Sequence, residues 1–181
     1  MAEEQTKESL APRPRRKAAA KKENQPVLDR DEAAIAYARS GYELDAHPAF
    51  AVRKVHQKAT LIFQQIMGED NLSPPQFAAL ATILKYGAVS QNHLGRMTSM
   101  DPSTISVVVR KLINDGLIHR SRSKTDQRLS VLTLTQAGLA FTIERLKGSI
   151  DVGERLLAPL SDEEKAAFMD MLMRISAEPE G

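Results

Sequence analysis

Residues 101–135 constrain this chain more than any other stretch, because they join one amphipathic helix to a short basic hairpin. Within DPSTISVVVRKLINDGLI, Ile105, Val108, Val109 and Leu112 recur at i, i+3, i+4 and i+7, the spacing of a single apolar helical stripe. Ser103, Ser106, Val107, Arg110 and Asn114 fall on the opposite face, with Thr104 and Lys111 beside them. Asp101 suits the N-cap, Pro102 the first helical position, and Gly116 the stop. In the following HRSRSKTDQRLSVLTLT, Leu117-Ile118 and Leu129 to Thr133 are expected to be two strands. Arg120, Arg122, Lys124, Asp126 and Arg128 are then expected in the turn between them. Small hydroxyls beside an arginine let a helix sit deep in a groove and reach both base edges and phosphates.

The elements around this unit follow from periodicity and caps. Residues 1–26, with APRPRRKAAAKKENQP, have no apolar period and are expected to be disordered. They serve either as a solubilising tail or as a flexible basic arm along a minor groove. A short helix is expected from Asp29 to Arg39. A long one starts near Pro48, with Phe50, Val52, Val55, Ala59, Ile62, Phe63 and Ile66 on a broad apolar face and Gly68 at its end. Ser73-Pro74-Pro75-Gln76 is a capping box with Pro at N1, opening a helix that turns Phe77, Leu80, Ala81 and Leu84 inward. Ser90 caps a short helix from Gln91 to Thr98. That helix, a turn at Ser99-Met100 and the helix from Asp101 make a helix-turn-helix, and the basic hairpin makes it winged.

Thr135 caps a long helix to about Ala158, along which Leu139, Ile143, Leu146, Ile150, Gly153, Leu157 and Leu160 alternate four and three residues apart. This heptad-like seam either packs on the first long helix or meets a second copy. Ser161 to Glu164 box the last helix, with Phe168, Met169, Leu172, Met173 and Ile175 as its stripe. The expected fold is mainly α with a small β-wing: a winged core at 70–134, and dimerisation helices at 27–69 and 135–176.

The net charge of +2 is informative only when divided. Residues 90–130 hold seven Lys/Arg against three Asp, a block of +4, and residues 1–26 hold +3, whereas 27–89 carry −1 and 131–181 carry −4. Positive charge concentrated on the helix and hairpin suits a partner made of phosphates. The absence of Cys excludes disulfides and Cys-ligated zinc. There is no glycine-rich phosphate loop, nucleophile elbow or HExxH, so an enzyme is not expected, nor is a cofactor. His47, His56, His93 and His119 are too scattered for a metal site. No apolar run approaches a membrane span, and a cytoplasmic protein is expected.

The order of elements, with LSPPQFAALATILKYG, DPSTISVVVRKLINDGLI and TDQRLSVLTLTQAG, resembles the MarR family of bacterial transcription regulators over about residues 48–176. The resemblance implies a homodimer on a pseudo-palindromic operator in double-stranded DNA. It assigns minor-groove entry to Arg128, oriented by Asp126, and recognition-helix contacts to Ser103, Thr104, Ser106 and Arg110. Lys111, Arg120, Arg122 and Lys124 would be general DNA contacts. It also implies a repressor released by a small aromatic or anionic effector, such as a hydroxybenzoate or hydroxynicotinate. The cleft candidates are Arg53, His56, Gln76 and Phe77, with a solvent-facing role equally open for His56. The alternative is an architectural winged-helix protein without an effector.

Overall fold

Capping side chains set where most of the helices begin. The computed structural model describes residues 29–68, 71–122 and 130–177. In chain order these form α1 (Arg30–Arg39), α2 (Pro48–Met67), α3 (Pro74–Tyr86), α4 (Gln91–Met97), α5 (Pro102–Asn114), β1 (Ile118–Arg122), β2 (Ser130–Leu134), α6 (Gln136–Leu157) and α7 (Asp162–Ser176). Capping boxes open α1 (Asp29 with Glu32), α3 (Ser73 with Gln76) and α7 (Ser161 with Glu164). Ser90, Asp101 and Thr135 cap α4, α5 and α6 through side-chain oxygens. Each satisfies amide donors that a helix start otherwise leaves orphaned.

The chain divides into two units, Met1–Leu44 and Asp45–Gly181. In the first, α1 buries no residue. It is finished by an edge-to-face pair, Tyr37 on Tyr42, and by the Leu44 amide donating to the Tyr37 hydroxyl at 2.9 Å. The expected basic tail lies outside the described residues.

In the second unit the core is built from α2 to α5 and the small sheet. Leu80, Ile83, Leu94, Leu112, Leu132 and Val109 are fully enclosed, each worth about 1.5–3 kcal/mol of apolar burial. On α5 the four buried residues are Ile105, Val108, Val109 and Leu112, the expected stripe. On α3 the phase is rotated: Ala79 and Ile83 are buried with Phe77 and Leu80, whereas Ala81 and Leu84 are only half-buried. Met67, on α2, is buried at the edge of this core beside Phe63.

β1 and β2 pair antiparallel, from Ile118 opposite Leu134 to Arg122 opposite Ser130. Val89 adds a bridge to Leu132 on the other edge, with amide–carbonyl bonds of 3.1 and 2.8 Å. The first strand is therefore longer than the expected Leu117-Ile118. Arg120 and Arg122 stand on it rather than in the turn, because backbone pairing with β2 continues past the last apolar residue.

α6 packs along α2, and its heptad-like seam is only partly covered. Gly148 comes close enough to Ile66 and Met67 that a Cβ there would lie 3.2 Å from Ile66 Cγ2. Thr142, wholly buried, returns its hydroxyl to the Gly138 carbonyl at 2.6 Å. Ile143, Leu146 and Ile150 of the seam are exposed, as are Val52, Val55 and Leu61 of α2 and Met169, Met171, Met173 and Ile175 of α7. Packing on α2 therefore leaves the middle of the seam uncovered, while Leu139, Leu157 and Leu160 are half-buried. No helix among the described residues is long and apolar enough to cross a membrane.

Candidate nucleic-acid interface

The face opposite the buried stripe of α5 carries the candidate contacts. Ser103, Val107 and Arg110 are exposed, while Thr104, Ser106 and Lys111 are half-buried. Asp101 organises the N-terminal turn: one carboxylate oxygen accepts from the Ser103 and Thr104 amides, both at 2.9 Å. The hydroxyls of Ser103 and Thr104 also donate to this carboxylate. The Ser103 hydroxyl, then the Thr104 hydroxyl and the two amides, hold the Asp101 carboxyl far below the usual carboxylate range. Asp101 was expected to occupy the cap and leave these hydroxyls to the groove. Instead the cap recruits them as donors, so what they present outward is lone pairs.

Lys111 is likewise engaged. Its ammonium sits 2.7 and 2.8 Å from the two Asp115 oxygens, one turn on. Among the expected cations of α5, Arg110 is exposed and forms no ion pair with the described residues.

The sheet meets α4 and α5 at a polar cleft of about 340 Å³, lined by Gln91, Ser106, Arg110, Ile113, Asn114 and Arg120. Along β1, Ile118, Arg120 and Arg122 share one face because strand side chains alternate. Ile118 is buried, and Arg120 reaches back to donate to the Gln91 Oε1 at 2.6 Å. Gln91 in turn donates from Nε2 to the Ser106 Oγ at 3.1 Å. The Ser106 hydroxyl donates to the Pro102 carbonyl at 2.7 Å. Gln91 was not among the expected site residues. Its partners are 15 and 29 residues away in sequence, and no local pattern announces such contacts. Lys124, Asp126 and Arg128, the expected wing tip, lie outside the described residues.

The four effector candidates are not brought together. Arg53 and His56 are exposed on α2 and line a groove of about 560 Å³ with Gln57, Thr60, Leu61 and Gln64. Gln76 is committed to the α3 cap, accepting from the Ser73 amide at 2.8 Å. Phe77 is a core residue whose ring lies 6.1 Å from that of Phe63. Among the described residues no three His, Asp or Glu side chains gather as metal ligands.

A helix with a hydroxyl- and arginine-bearing outer face, braced by a small sheet, is the architecture of a groove-reading module, and known proteins share it. The MarR family model matches residues 72–130. The repressor NicR of Pseudomonas putida is 27% identical over 134 residues, 74% of this chain and 85% of its own length. Among solved structures, one from Pseudomonas aeruginosa described as a probable transcriptional regulator is 35% identical. It covers 74% of this chain and 99% of its own, with a TM-score of 0.70. BpsR of Bordetella bronchiseptica, solved to explain regulation of its DNA binding by 6-hydroxynicotinic acid, is 25% identical. It covers 76% of this chain and 98% of its own, with a TM-score of 0.72. All three are described as regulators, NicR of the helix-turn-helix type and BpsR as binding DNA, and the chain belongs to the MarR family.

Proposed function

We propose that the chain is a homodimeric repressor that reads a pseudo-palindromic operator through α5 and the wing, and leaves it when a small aromatic acid binds. The observation that carries the reading is the outer face of α5, where Ser106 and Arg110 share a cleft with Arg120 of β1, while Ser103 and Thr104 occupy the first turn of the same helix. Cations flanking a helix of groove-sized side chains supply phosphate contacts for register and polar groups for base edges. Lys124, Asp126 and Arg128 follow Arg122 in the sequence.

Dimerisation is supported by the apolar residues left uncovered on the long helices. Ile143, Leu146 and Ile150 of α6 lie in heptad-like spacing, and α7 exposes Met169, Met171, Met173 and Ile175. Exposed apolar residues in such number mark an interaction surface, and the seam's self-complementary spacing suits a second copy of the same helix.

For the effector, the groove on α2 offers a cation at Arg53, an imidazole at His56 and an apolar wall at Leu61. Those groups match a ring bearing a carboxylate. BpsR, whose DNA binding is regulated by 6-hydroxynicotinic acid, makes hydroxynicotinates the first compounds to try, with hydroxybenzoates as the other expected class. The test is selection of duplexes from a random-sequence pool, followed by titration of the selected complex with these acids for wild type, Arg53→Ala and His56→Ala. One enriched, inverted-repeat sequence is expected, released by at least one acid and less readily in the variants. Enrichment of no sequence would remove the operator reading. Release equally strong in both variants would move the effector elsewhere.

A further inference from the structure

We propose that Gln91 is a positioning residue for DNA binding: it ties Arg120 at the root of the wing to Ser106 on α5, so that helix and wing present their contacts as one rigid unit. The inference rests on the DNA-binding reading of that face. Three elements meet at this one amide, α4 through Gln91, α5 through Ser106 and β1 through Arg120. The direction of every bond in the chain is fixed by chemistry. Arg120 can only donate, so it must meet the Gln91 carbonyl oxygen. The Ser106 proton is committed to the Pro102 carbonyl, so Ser106 Oγ can only accept, and Gln91 must turn its NH₂ toward it. Gln91 is the one residue type of this length that supplies an acceptor on one side and a donor on the other. Glu lacks the donor and Lys the acceptor.

The consequence falls on Arg120. Its long side chain has several rotatable bonds, and a phosphate contact made from a freely rotating arginine loses that freedom on binding. With one of five N–H donors held by Gln91 at 2.6 Å, the guanidinium already faces the cleft it shares with Arg110 and Asn114. No carboxylate lines that cleft among the described residues. Gln91 is not itself assigned a base or phosphate contact; it acts through Arg120 and Ser106.

The test is a double-mutant cycle in the full chain, using a duplex selected from a random-sequence pool by the wild-type protein. Arg120→Ala is expected to weaken binding about tenfold and to reduce the slope of log K against log salt by about one. Gln91→Ala is expected to weaken binding by about five- to tenfold, the loss of a hydrogen bond to a charged group, with the slope unchanged because no cation is removed. The decisive variant is the double one, expected within about twofold of Arg120→Ala alone. Losses that multiply, to roughly fiftyfold or more, would show that Gln91 acts independently of Arg120 and overturn the proposal. So would Gln91→Ala binding as tightly as wild type. If thermal unfolding shows that Gln91→Ala does not fold, Gln91→Met, which keeps the length without the amide, carries the same cycle. A wild-type chain that selects no duplex would overturn the DNA-binding reading and this inference with it. A wild-type chain that binds beside an unimpaired Gln91 variant overturns the positioning role alone.

Discussion

Gly138→Ala is expected to be the most disruptive single-methyl change in the molecule. Gly138 lies in the first turn of α6, buried, with its amide donating to the Thr135 hydroxyl at 2.9 Å. A Cβ built there would lie 1.8 Å from the Leu117 carbonyl oxygen, 2.7 Å from its carbon and 3.1 Å from its Cα. All three are backbone atoms, so no side chain can swing aside. Relief requires α6 to move away from the turn after α5 by more than 1 Å, given an ordinary contact distance of about 3.5 Å. That turn is held to α6 by the Thr135 amide on the Leu117 carbonyl at 3.0 Å and the Thr135 hydroxyl on the Gly116 carbonyl at 2.7 Å. Overpacking costs about 1–3 kcal/mol, and two hydrogen bonds lost add about 1 kcal/mol each. Replacing Gly by Ala within a helix offsets about 1 kcal/mol. The net loss is about 2–4 kcal/mol, or roughly 5–15 °C in Tm for a chain of this size. Thermal and urea unfolding of the variant measure it directly. Gly68→Ala, where a Cβ meets nothing within 4 Å and the backbone is right-handed helical, serves as the control and is expected to match or exceed wild type by up to about 1 kcal/mol. Unchanged stability in Gly138→Ala would refute the steric argument. Equal losses in both variants would show that the close approach to Leu117 is not what makes position 138 special.

Four further outcomes are expected. Ile150→Glu, which places a carboxylate on the exposed α6 seam, should convert a dimeric species to monomer in light scattering while far-ultraviolet dichroism is kept; an unchanged mass would remove the seam from the interface. Arg110→Ala should weaken duplex binding about tenfold and flatten the salt slope by about one, whereas Lys111→Ala should do less, because Asp115 already neutralises that ammonium. Arg128→Ala is expected to match or exceed the Arg110 effect, measured by the same titration. Asp101→Ala should lower Tm, and the sign of its pH dependence follows from its depressed carboxyl. A group held below its ordinary value of 3.8 contributes fully above that value and loses the contribution as pH falls through the folded range. The gap in Tm between wild type and Asp101→Ala should therefore stay constant from neutral pH to about 4 and close only at lower pH.

What the sequence made legible follows from how local each signal is. Ser73 with Gln76, Ser90, Asp101, Thr135, and Ser161 with Glu164 lie within three residues of the amides they cap, so helix starts could be placed from composition alone. The α5 stripe is legible because all four buried positions are apolar and every exposed one but Pro102 and Val107 is polar. The phase of α3 was not. PPQFAALATILKY is apolar almost all round, and a helix of that kind does not declare which side faces inward. Phe77 was consequently given both an inward-facing role and a place in an effector cleft; its contact with Phe63 leaves it in the core. IHRSR holds one apolar residue, too few to display a period of two, so β1 beyond Ile118 reads as a turn. Ser103 and Thr104 show the opposite difficulty. Their local chemistry was legible, but Asp101 accepts four hydrogen bonds rather than two.

The glycine that ends TDQRLSVLTLTQAG has a mechanical meaning that its position in the sequence does not disclose. Leu134-Thr135-Gln136-Ala137-Gly138 carries the chain from the sheet into α6, and Thr135 and Gly138 both contact the Gly116-Leu117 turn that ends α5. The Leu117 amide itself donates back to the Leu112 carbonyl at 3.0 Å. The end of α5, the root of the wing and the start of α6 are thus joined through backbone groups and one threonine hydroxyl. Backbone bonds cannot be re-aimed by rotamer changes, so any displacement of α6 relative to α2 must move this turn as a body and carry α5 with it. At the other end of α5, Gln91 and Ser106 tie the helix to β1. A helix held at both ends by neighbouring elements has no soft internal joint through which strain could dissipate. In the proposed dimer, rotation of α3 to α5 and the root of the wing as one body would then be the response to a change along α2 and α6, altering the spacing of the two α5 helices without altering either one.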